Sequence, residues 1–92
     1  MSLEDKIAET RDNIEKSFFN DAILIRSMYN VVSNELTFII DYPLSDKYLF
    51  VSWTVPKEDK LDDFFRAVTE QVTEETNNFI KTIAMRYGYG ED

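Results

Sequence analysis

Eighteen Asp and Glu side chains are the main supply of acid–base groups in this 92-residue sequence, which has no histidine and no cysteine. Two carboxyls about 5–9.5 Å apart across a cleft could cleave a glycosidic bond. Asp62-Asp63 and Glu74-Glu75 are sequence neighbours, and neighbours on a helix point in different directions. Asp41 stands alone on a segment that reads as a strand. These spacings predict solvated carboxylates and no catalytic pair, so no enzyme is expected.

The missing residue types remove other chemistry. Without Cys and His there is no zinc site of the usual kind, no thiol nucleophile, no Ser–His dyad and no disulfide. Both glycines, Gly88 and Gly90, fall in the last five residues, so no glycine-rich phosphate loop or dinucleotide fingerprint can form. No D-x-D-x-D-G calcium loop is present. The expectation is therefore no cofactor and no metal. No stretch approaches the ~20 apolar residues of a membrane span. Met1 to Lys6 is acidic where a signal peptide is basic, which predicts a cytoplasmic protein of a cell or infected host with no membrane partner.

The elements that position these residues follow from periodicity. Ser2 is a candidate N-cap for a helix from Leu3 to about Asn20, with Glu4 and Asp5 in its first turn. Leu3, Ile7, Ile14 and Phe18 form a thin apolar stripe with a gap at Thr10-Arg11. Ala22–Val32, Glu35–Tyr42 and Lys47–Val55 read as strands, joined by a tight turn at Ser33-Asn34 and by Pro43-Leu44-Ser45-Asp46. Such short links allow only an antiparallel meander. A second helix starts near Lys57 or Glu58 with Leu61, Phe64, Phe65, Val68 and Val72 on one face. That face resumes at Phe79, Ile80, Ile83 and Tyr87 after a polar gap at Glu74–Asn78.

The expected fold is thus α+β, one two-layer domain over residues 1–87 in the order α-β-β-β-α, with three strands against two helices and a flexible acidic tail at 88–92. An unbroken second helix would be about 45 Å long at 1.5 Å per residue. A compact domain of this size is only about 30 Å across, from a radius of gyration near 12 Å. The helix must bend near Asn77-Asn78 or project.

This element order is similar to that of the double-stranded-RNA-binding domain, which holds phosphates with lysines at the start of its second helix. No motif accompanies the similarity and no residue carries over. Here Pro56-Lys57-Glu58-Asp59-Lys60-Leu61-Asp62-Asp63 places four carboxylates against two lysines, within a chain of net charge −8. Phosphate backbones are repelled, and no direct nucleic-acid partner is expected. Asp59, Asp62, Asp63, Glu70 and Glu74 instead form an acidic face, which could engage a basic nucleic-acid-binding protein as a mimic of its ligand.

Two helices cover one face of a three-stranded sheet, leaving Ile39, Tyr48, Phe50 and Met28 on the other. With a projecting helix end carrying Phe79, Ile80 and Ile83, that face predicts a protein interface. The expected function is a non-enzymatic protein-binding domain, a small acidic antagonist of another protein of the phage or mobile-element anti-defence type. The alternative is a homodimeric adaptor or secretion-chaperone-like module; a two-fold homodimer is expected in solution.

Overall fold

The Ser2 side chain accepts a hydrogen bond from Asp5 N–H at 3.1 Å and opens helix α1, Leu3–Lys16. The computed structural model describes residues 2–18, 22–43 and 45–86, with side chains to residue 82. α1 stops about four residues before the expected end. The Ser17 N–H turns to Ile14 O at 3.1 Å and the Phe18 N–H to Glu15 O at 3.2 Å, a tightened last turn. Phe19, Asn20 and Asp21 lie outside the described residues. The gap in its apolar stripe is filled by Thr10, which is buried with its hydroxyl donating to Lys6 O at 2.8 Å. Satisfied by its own backbone, this small side chain sits where α1 crosses the second helix.

Strands β1 (Leu24–Asn30), β2 (Glu35–Tyr42) and β3 (Lys47–Thr54) form an antiparallel sheet with β2 in the centre. β2 alternates as its sequence does: Leu36, Phe38 and Ile40 are each 0 % exposed on the helix side. Burying such side chains stabilises the fold by about 1.5–3 kcal/mol apiece. β1 is shorter than expected, and the β1–β2 link is a four-residue turn, Val31–Asn34, rather than a tight pair. Asn30 Oδ1 accepts from Val32 N–H at 2.9 Å and Ser33 N–H at 3.2 Å, which closes the turn locally. Asn34 takes φ 58°, a conformation asparagine tolerates. Val31 and Val32 are consequently exposed.

After a 3-10 turn at Glu58–Lys60, helix α2 runs unbroken from Leu61 to Arg86. Thr76 explains why the polar gap does not break it. Wholly buried, it continues the apolar face, and its hydroxyl lies 3.3 Å from the Tyr42 hydroxyl. The projecting alternative therefore holds. Phe79 stacks on Tyr42, the last residue of β2, with ring centroids 4.2 Å apart. The turns beyond it overrun the sheet, and the molecule measures 49 × 21 × 18 Å.

α2 passes beneath β3, where Trp53 Nε1 donates to Gln71 Oε1 at 3.0 Å, and then beneath β2, where Thr76 meets Tyr42. α1 lies beneath β1, with Glu15 Oε2 accepting from Ile25 N–H at 2.7 Å. The two helices are tied on the surface by Lys6 and Asp62, 2.9 Å apart.

Candidate protein interface

With both helices on one side, the register places four rows across the open face: Leu24–Asp41–Tyr48, Arg26–Ile39–Phe50, Met28–Thr37–Ser52 and Asn30–Glu35–Thr54. The face is graded. The two rows near the β2–β3 turn hold Leu24, Ile39, Tyr48 and Phe50, and the two near the β1–β2 turn are polar apart from Met28. Tyr48 and Phe50 are 65 % and 62 % exposed, with ring centroids 5.2 Å apart. Leu24 and Met28 are also exposed.

The polar groups on this face are largely paired. Arg26 Nε meets Asp41 Oδ2 at 3.2 Å, and the Thr37 and Ser52 hydroxyls are 2.8 Å apart. Asp41 is thus one half of an ion pair. Leu24 belongs to the patch as well, although alternation alone does not say which β1 residues a helix leaves uncovered.

Of the second expected surface, Phe79 is held against Tyr42 and Ile80 is half-buried. The Ile83 side chain lies outside the described residues, as do Tyr87 and the tail 88–92. Phe79 leaves the sheet at the same end as Tyr48, but on the opposite side. The open-face residues and the helix end are therefore neighbours around one end of the molecule rather than one continuous patch.

The acidic residues are exposed but do not act as a single column. Asp59, Asp63, Glu70 and Glu74 follow at intervals of four, seven and four residues along one stripe of the 3-10 turn and α2. Arg66 interrupts the stripe, its Nη1 3.4 Å from Asp63 Oδ1. Asp62 leaves it to pair with Lys6, and the bond from Lys6 holds the Asp62 carboxyl below the usual carboxylate range. The same bond raises Lys6.

Among the described residues the surface depressions are open to solvent. Among the described residues no three acidic side chains converge where a metal could bind, and no helix is long and apolar enough to cross a membrane. No family model, no curated protein and no solved structure matches the chain.

Proposed function

We propose that this chain is a non-catalytic protein-binding domain whose contact surface is the apolar half of the open sheet face. The observation that carries the reading is the exposed Tyr48–Phe50 pair, standing between Ile39 and the free side of β3. Aromatic side chains bring large contact area at low entropic cost, and they are enriched at interface cores. The neighbouring polar groups already satisfy one another, so covering them strands few donors.

A second reading rests on Asp59, Glu70 and Glu74, which have no cationic partner among the described residues. On it, the domain is an antagonist that holds a basic nucleic-acid-handling protein through the α2 stripe.

One experiment separates the two. Proteins retained by the immobilised chain are compared for the unmodified sequence, Tyr48→Glu/Phe50→Glu and Glu70→Lys/Glu74→Lys, at about 50 mM and about 500 mM salt, which spans weak and strong screening. Loss of the retained proteins with the first double variant at both salts supports the sheet face. Loss with the second, together with loss in high salt, supports the antagonist. Retention unaltered by both variants overturns both readings.

A further inference from the structure

The sheet has two free sides, and hydrogen-bond direction shows which groups lie along each. Ile25 N–H points away from β2 to Glu15, so the odd residues of β1 face outward. Val55 N–H donates to Asn34 O at 2.9 Å, which turns the odd residues of β3 inward and leaves Tyr48, Phe50, Ser52 and Thr54 facing outward. Among the described residues the main-chain groups of those four have no partner outside the β2 ladder.

Past its first residue, Lys47, β3 carries none of the devices that normally protect such an edge. Between Lys47 and Pro56 there is no charge, no proline and no bulge. From Tyr48 to Val51 its side chains are apolar on both faces, and the two that follow on the open face, Ser52 and Thr54, are small and uncharged. Tyr48 and Phe50 stand in the open, and Leu49, Val51 and Trp53 on the helix side stay partly exposed because α2 drifts from β3 toward β2. A segment apolar on both sides, as Tyr48–Val51 is, reads as part of an interior strand, yet here it lies on an outer one.

We propose that a second copy of this chain pairs its β3 with this β3, antiparallel about a two-fold axis at Val51, making one six-stranded sheet. The proposal rests on the open-face reading and names its partner. Charge selects a second copy. The chain carries −8, but Lys47–Lys57 contains no carboxylate, so two copies meet there without acidic groups facing each other. In this register Tyr48 pairs with Thr54 of the second copy and Phe50 with Ser52, which uses the outward main-chain groups of all four residues. It also brings Asp46 level with Pro56 and Lys57 of the other copy. Neither Asp46 nor Lys57 has an ion-pair partner among the described residues. The two Phe50 rings become diagonal neighbours, within aromatic reach at about 7–8 Å.

The test is the mass of the full chain in solution by light scattering, at up to about 1 mM, well above the dissociation constant of a functional dimer. Two chains are expected for the unmodified protein. Ser52→Pro removes an outward N–H without touching the β2 ladder and should give one chain; Ser27→Pro, the matching change on β1, should leave two. A monomeric unmodified protein, or a dimer lost with Ser27→Pro and kept with Ser52→Pro, overturns the proposal. Should Ser52→Pro fail to fold, amide exchange in the unmodified chain decides. Slow exchange at Phe50 and Ser52 is expected, and exchange at solvent rates overturns it. The sheet-face reading is judged separately, by whether Tyr48→Glu/Phe50→Glu releases other proteins.

Discussion

β1 and β3 flank the same central strand at similar length, but their outer sides are finished in opposite ways. Along β1, α1 lies close beneath, Glu15 takes the Ile25 N–H, Glu4 and Arg11 border the groove at Ser27 and Tyr29, and Arg26 adds a charge. Along β3 the four residues Tyr48, Phe50, Ser52 and Thr54, none of them charged, present main-chain groups to solvent. An open edge invites another strand, so a fold that leaves one open while covering the other has a direction for growth. Helix placement therefore decides more than strand composition. α1 stays under β1, and α2 is drawn away from β3 by the Tyr42–Thr76 and Tyr42–Phe79 contacts.

Loosening the helix that covers β1 should have the largest effect. Ile14 is wholly buried beside Glu15, and Ile14→Ala should cost about 2–5 kcal/mol in denaturant unfolding. Leu49→Ala on the half-covered β3 should cost less, about 1–2 kcal/mol, since part of its surface is already in water. Equal costs would mean that β3 is as well covered as β1. Glu15→Ala comes next. Stranding the Ile25 N–H should cost about 1 kcal/mol and speed hydrogen exchange at that amide, with β3 amides unchanged.

The Tyr42 latch follows in size. Burial is the main cause raising the Tyr42 hydroxyl above the usual tyrosine range, partly opposed by its bond to Thr76. Its folded value lies above its unfolded one, so its contribution is complete below the ordinary tyrosine range. It is lost as pH rises through the folded value. Tyr42→Phe should remove this alkaline component and cost about 1 kcal/mol at neutral pH, read from unfolding curves across pH. The smallest effect belongs to Lys6–Asp62, an ion pair at the surface whose carboxylate is exposed. Asp62 is lowered, so its stabilisation is present above the ordinary carboxylate range and disappears as pH falls through its folded value. Asp62→Asn should produce a change in melting temperature that high salt abolishes.

Much of this architecture is legible from local pattern. The Ser2 cap, the alternation of β2, the order α-β-β-β-α and the exposure of Tyr48 and Phe50 follow from residue types and spacing. The misreadings share a cause. Thr10 and Thr76 read as polar interruptions, but each is buried once a backbone carbonyl or a distant hydroxyl satisfies it. Asn30 and Asn34 turned a two-residue link into a four-residue one through their own side-chain bonds. The Glu15 bond to Ile25, ten residues further along the chain, has no periodic signature at all.

The sequence by itself determined the elements, their order and the sidedness of the sheet, because helix and strand periodicities act over a few residues and depend only on which side chains are apolar. Tertiary structure decided which sheet edge is covered, that α2 runs past its polar gap, and that the acidic residues divide between ion pairs and open solvent. Those outcomes depend on pairs such as Tyr42–Thr76, Glu15–Ile25 and Lys6–Asp62, whose members meet only after the chain has packed.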